Sequence, residues 1–466
     1  MPVDGARPDA DNRPAGTATP PRIAGGFTSG SVGRHLFRLG SFMALGSVSM
    51  LGAQIAETVV LGWIGTNALA ALGYAFPTTI TLYAFASGIG TGASSVTARA
   101  FGAGERTRVA AIITHAHLLA LLVGIAVSAA FAASAPHIVG LLGATGEVRQ
   151  MATDYLTVFA IGFPLFMTSI VGSMLLRATG NVASPGLIMA IGSVGQILLC
   201  PILVFGWFGA PELGIAGAAW AYVISRGLGS VAYAVLIARQ YLFRWTLRGL
   251  GGSWLAIMHV GGPAIGSGLV MPVSMFIITR LLSAHGDAVV AGYNVASRVE
   301  MLAHMILWSA SSSVEPFVGQ NWGAGLVNRA RRALKLTNNF ALWWGVFTFV
   351  VMVTCGEWVV TKWISTDPVV VEVAVWFFMI IPLSIGFMGM TQIASSSFNA
   401  LGKPFPSVVI SLLRTLVVYV PLAILGDYLF GYIGIFVATA ASNVAVGLLA
   451  WNWNAGYVRR AAQGAP

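Results

Sequence analysis

Residues 109–146 contain no Asp, Glu, Lys or Arg. An uncharged stretch of that length is satisfied inside a lipid bilayer as a helix, which bonds its own backbone without water. A β-barrel would instead show short segments of alternating polarity, and the apolar runs here are long and continuous. Runs of the same kind recur along the whole chain, so that hydrophobic residues make up 57% of it, charged residues 9%, and the mean hydropathy is +0.81. These values exclude an ordinary soluble globule and predict an all-α polytopic membrane protein.

The apolar runs divide into twelve expected spans, at about 37–64, 70–98, 109–134, 151–174, 185–207 and 214–238, then 259–283, 289–318, 337–360, 369–395, 405–426 and 432–455. Placing the N-terminus inside puts Arg99, Arg106, Arg108, Arg239, Arg329, Arg331, Arg332, Lys403 and Arg459 on the inner side, and only Arg149 and Lys362 outside. The positive-inside rule therefore predicts cytoplasmic termini for a multi-pass protein of a plasma (inner) membrane. The net charge of +10 reports this topology and not a nucleic-acid partner. Residues 1–34, rich in Pro, Gly and small polar types, read as a disordered cytoplasmic tail, and 457–466 are expected to form the cytoplasmic C-terminal tail. Cys200 and Cys355 both lie in apolar segments and suggest neither a disulfide framework nor a metal site.

A shift of about 221 residues superposes one half of the chain on the other. Gly65 falls on Gly286, Arg108 on Arg329, and Gly102-Ala103-Gly104 on Gly323-Ala324-Gly325, while Pro164 meets Pro382 at a shift of 218. The matches predict two six-helix lobes, 35–238 and 257–456, joined by a basic connector at 239–256.

Buried charges mark the candidate site. Glu57 is the one charge in residues 41–76, and an isolated carboxylate within a span costs at least about 2.5 kcal/mol, so it faces a cavity or a partner. Glu300 and His304 stand four residues apart on one helical face and could share a proton, or Glu300 could pair with Arg280. Glu315 lies further along, near the inner mouth. Arg226, Arg298 and Arg414 also fall within or beside spans and are expected to find a carboxylate, carbonyl or lipid phosphate. Gln54, Tyr83, Tyr155, Phe163, Met174, Gln196, Gln392 and Asn399 could line a cavity offering adaptable apolar and cation–π contact. No zinc-binding, phosphate-loop or nucleophile motif is present, which argues against an enzyme, and His115 and His117 lie on different helix faces.

Several stretches resemble the multidrug and toxic compound extrusion (MATE) family on its bacterial DinF-like and NorM-like side: ETVVLGWIGTNALAALGY at 57–74, LLRATGNVASP at 175–185, PELGIAGAAWAYVIS at 211–225, AGYNVASRVEML at 291–302, PFVGQNWGAG at 316–325 and NALGKP at 399–404. The resemblance implies a V-shaped pair of lobes and a secondary antiporter that exports amphipathic organic cations in exchange for H+ or Na+. It also implies that Glu57 takes the place of the family's first-helix acid, usually Asp. Gln196 and Cys200 stand where relatives often carry Asn and Asp, and Met271 where some carry a Glu. No cofactor beyond the coupling ion is expected, and the chain is expected to act as a monomer in the bilayer. The alternative is a lipid or lipid-linked saccharide flippase, whose cavity would be net basic where that of a cation exporter would be net acidic.

Overall fold

The computed structural model describes residues 26–240, 242–363 and 366–463, the side chains of residues 271 and 363 excepted. Twelve long helices account for it: α1 (Val32–Ile64), α2 (Thr66–Gly102), α3 (Arg106–Leu141), α4 (Gly146–Ala178), α5 (Ala183–Phe205) and α6 (Ile215–Arg239) form the N-lobe. The C-lobe comprises α7 (Leu250–Leu282), α8 (Asp287–Gly323), α9 (Val327–Trp363), α10 (Pro368–Ala400), α11 (Phe405–Phe430) and α12 (Tyr432–Ala462). Eleven are long and apolar enough to cross a membrane, and α8, which carries Asp287, Arg298, Glu300 and Glu315, is the exception. Most helices overrun their expected spans by a turn or more at one end or both, because amphipathic residues continue the backbone ladder beyond the apolar core.

The repeat is visible in the packing. In the N-lobe α4 lies against α2, α3 and α6, and α5 against α1 and α6; in the C-lobe α10 lies against α8, α9 and α12, and α11 against α7 and α12. The crossing between lobes is reciprocal, α2 on α7 and α1 on α8. Equivalent turns share a backbone conformation that favours glycine, with φ of 146° at Gly65 and 103° at Gly286, and 83° at Gly104 and 72° at Gly325. Gly102 and Gly323 end their helices and allow the lobes to touch: a Cβ on Gly102 would meet the Gln320 carbonyl, and one on Gly323 the Arg99 carbonyl.

Two interruptions break the C-lobe helices. A 3₁₀ turn at Pro382–Ser384 divides α10, where proline removes a backbone donor. A π-helical stretch, Leu413–Tyr419, sits inside α11.

The lobes are sealed along one end, the end that carries the glycine-rich turns and most of the basic residues. There Ser95 Oγ donates to the Asn399 carbonyl and Gln320 Nε2 to the Ala178 carbonyl at 2.7 Å. The tail expected to be disordered over 1–34 falls mainly outside the described residues, but its described part is held in this seam. Phe27 is 2% exposed, and its amide donates to Gln320 Oε1 at 2.7 Å. Arg329 clamps the segment by donating to the carbonyls of Phe27, Ser29 and Gly30. The connector is shorter than expected, since α7 begins at Leu250. Thr114 Oγ1 and His115 bind it to α3 through the carbonyls of Arg244 and Thr246, and His115 also bonds the Ser253 hydroxyl in the first turn of α7.

Candidate transport site

Glu57 lies seven residues before the end of α1 remote from the seam, buried at 5% exposure. Tyr155 on α4 donates its hydroxyl to Glu57 Oε1 at 2.8 Å, and Gln196 on α5 donates Nε2 to Oε2 at 3.1 Å. Both donors are neutral, and among the described residues no cation comes within 4 Å of the carboxylate. The acid is therefore positioned but not neutralised, with lone pairs left for a proton or a small cation.

A row of rings leads from this acid to the other lobe. Tyr155 stacks on Phe159 with centroids 6.4 Å apart, Phe159 meets Phe166 at 6.1 Å, Phe166 meets Tyr83 at 6.3 Å, and Tyr83 meets Trp308 of α8 at 6.3 Å. These separations lie within the range of favourable aromatic pairs. Trp308 lines a cavity of about 270 Å³ between α2, α7, α8, α10 and α11, whose wall is mostly hydroxyl and amide groups and whose single charged residue is Arg414.

Several sequence expectations meet here and others do not. Tyr155 and Gln196 hold Glu57, Gln392 and Asn399 line the cavity, and Tyr83 stands between the two. Phe163 is instead fully buried in the N-lobe core, Met174 packs beside Gly90, and Gln54 is exposed on α1. Glu300 and His304 do not share a proton: the His304 ring bonds the Gln392 amide, which presents a nearer partner across the helix interface. Nor does Glu300 pair with Arg280, whose side chain is exposed. Glu315, 6% exposed, has an oxygen with no hydrogen-bond partner, and no loop arginine pairs with it.

Of the partners expected for the intramembrane arginines, a carboxylate is not found among the described residues. Among the described residues none makes an ion pair; Arg226 lies over the Tyr222 ring at 5.1 Å, and Arg298 is exposed. Sequence reasoning missed Trp308, whose role depends on a neighbour from the other lobe. It noted Arg414 without the cavity around it. The charge map expected to separate drug export from lipid flipping is mixed in both lobes: Glu57, Arg177 and Arg226 are buried in the N-lobe, Glu315 is buried in the C-lobe, and Arg414 lines the cavity.

A family model described as MatE matches residues 43–202 and again residues 263–425, once in each lobe. The chain is 30% identical over 427 residues to a FAD transporter of Shewanella oneidensis, covering 91% of this chain and 94% of that one. A probable multidrug resistance protein NorM of Thermotoga maritima is 24% identical over 374 residues, covering 79% and 80% of the two chains. The Vibrio cholerae MATE transporter VcmN in its bent form has a TM-score of 0.86 at 26% identity, covering 92% of this chain and 97% of that one. With twelve helices in two repeated lobes, a matching family model in each and relatives along nearly the whole length, the chain belongs to the MATE family of multi-pass membrane transporters.

Proposed function

We propose that this chain is a secondary active antiporter that exports amphipathic organic compounds, organic cations among them, in exchange for H+ or Na+ bound at Glu57. The observation that carries this reading is the buried, doubly hydrogen-bonded and unneutralised carboxylate of Glu57. Relatives named as multidrug resistance proteins support the cargo class. With the basic end cytoplasmic, by the positive-inside rule, the sealed seam corresponds to a state closed to the cytoplasm. Ion binding at Glu57 removes its attraction for cationic cargo and releases or tightens Tyr155. The row of rings passes that shift to the Tyr83–Trp308 contact between the lobes. Rocking the lobes about this contact gives alternating access.

A second reading, export of an anionic cofactor, is favoured by the 30% identical FAD transporter and by the positive charge of the central cavity. Efflux from proteoliposomes under separately imposed proton and sodium gradients tests both readings, with a fluorescent organic cation and FAD as the two cargoes. Gradient-driven cation efflux that disappears in Glu57→Gln supports the first reading. FAD efflux without cation efflux replaces it with the second, and no flux of either cargo with folded protein overturns both.

A further inference from the structure

We propose that the cavity between α2 and the C-lobe is an oxyanion-binding subsite in which Arg414 holds the phosphate-type head of a ligand whose ring lies against Trp308. The inference rests on reading the chain as a transporter and adds a ligand chemistry and a residue to it. Arg414 is the single charged residue of the lining, and among the described residues its guanidinium has neither a hydrogen-bond acceptor nor an acid within 4 Å. An unpaired cation at membrane depth is costly, and arginine's planar fork suits two oxygens of a phosphate. Its position strengthens the case. Arg414 stands on the π-helical turn of α11, a rare departure from regular helix that is frequent at functional sites.

Three other lining residues also carry an unpartnered atom, although Ser311 and Ser396 of the same wall bond each other. Asn399 Oδ1, on a side chain only 8% exposed, has no partner, and neither do Gln392 Oε1 and Ser267 Oγ, all three on cavity-lining residues. Buried polar atoms are normally bonded, so a small side-chain rotation toward the cavity would let these accept from a ligand's hydroxyl or N–H donors. Ser411 offers a hydroxyl that can donate to the oxyanion itself, and Ser396, whose hydroxyl shares a hydrogen bond with Ser311 at 2.9 Å, lies on the same wall. Trp308 is 36% exposed and supplies the apolar face. At about 270 Å³ the cavity lies just below the usual range of roughly 300–1,000 Å³ for small-molecule sites, so it accepts a head and one ring, with the remainder of a longer ligand in the cleft between the lobes. The same chemistry is presented by a water-soluble phosphate monoester and by a lipid phosphate headgroup.

The test compares 1-naphthyl phosphate with 1-naphthol, which differ only in the phosphate, by calorimetry on the full-length purified protein. Wild type is expected to bind the phosphate at least about tenfold more tightly, the scale of one charge-assisted hydrogen-bonded contact. Arg414→Gln should erase that preference and Arg414→Lys should keep part of it. Displacement of naphthyl phosphate by lysophosphatidate in the same titration assigns the site to lipid headgroups, and lack of displacement assigns it to soluble phosphates. Equal affinity of the two probes for wild type, or an unchanged preference in folded Arg414→Gln, overturns the proposal. Cation efflux that still depends on Glu57 in that case leaves the transporter reading standing.

Discussion

The two lobes repeat the same six-helix arrangement, and each leaves some buried polar atoms unpartnered, Arg226 Nε among them in the N-lobe, but the surroundings of Glu57 in one differ from those of Arg414 in the other. In the N-lobe, Glu57 is gripped by Tyr155 and Gln196 inside one continuous apolar core that includes Leu61, Phe163 and Leu176. In the C-lobe the apolar core is divided into two clusters, one around Leu307 and Phe398 and one around Phe377 and Phe436, and the cavity leaves Arg414, Asn399 and Gln392 with unused hydrogen-bonding capacity. A satisfied acid suits a proton or a small ion, because little else needs to enter. An unsatisfied polar cavity suits a ligand large enough to bring its own donors and acceptors. The six-helix frame is common to both lobes, and a few inward-facing residues are where they differ.

Breaking the N-lobe side of this contrast should have the largest effect. Glu57→Gln keeps the shape and both neighbours but removes the ionisable group, and gradient-driven efflux in proteoliposomes should fall to the protein-free background. Coupled efflux at the wild-type rate would separate Glu57 from ion handling. Tyr155→Phe removes one of the two donors, a charge-assisted bond worth about 1.5–3 kcal/mol, and should lower efflux by roughly tenfold or more while leaving the fold intact. If Tyr155→Phe transports as well as wild type, the ring row is packing and not a coupling element.

Changes at the seam should act on the lobes together. Gly323→Ala forces a methyl against the Arg99 carbonyl and should destabilise the sealed arrangement by about 1–3 kcal/mol, read as easier cysteine labelling across the seam and a lower melting temperature. Unchanged labelling would mean that the lobes separate elsewhere. Arg329→Ala removes donors to three carbonyls of the N-terminal segment and should expose 26–31 to protease at a cost of roughly 1 kcal/mol in stability. The smallest effect is expected at Arg280, exposed and without an ion pair, where Arg280→Ala should stay within about 0.5 kcal/mol of wild type. A large loss there would show that Glu300 depends on Arg280 in another state of the cycle.

Hydropathy and the 221-residue repeat by themselves determined the helical class, the twelve helices and the paired lobes, because long uncharged runs permit only self-bonded helices and the repeat rests on glycines with special backbone angles. Glu57 was legible for the same reason, as a lone charge in an apolar run. The pairings were not. Glu300, His304 and Arg280 sit at spacings that suggest a cluster, yet the structure gives His304 to Gln392, 88 positions away, and leaves Arg280 exposed. Tyr155 and Gln196 reach Glu57 across 98 and 139 positions, and Trp308 meets Tyr83 from the opposite lobe. Periodicity reports which face of a helix is apolar, but which helices meet and at what rotation is decided by packing among all twelve. Only that tertiary packing gathered Arg414, Trp308 and the hydroxyl-lined wall into one cavity.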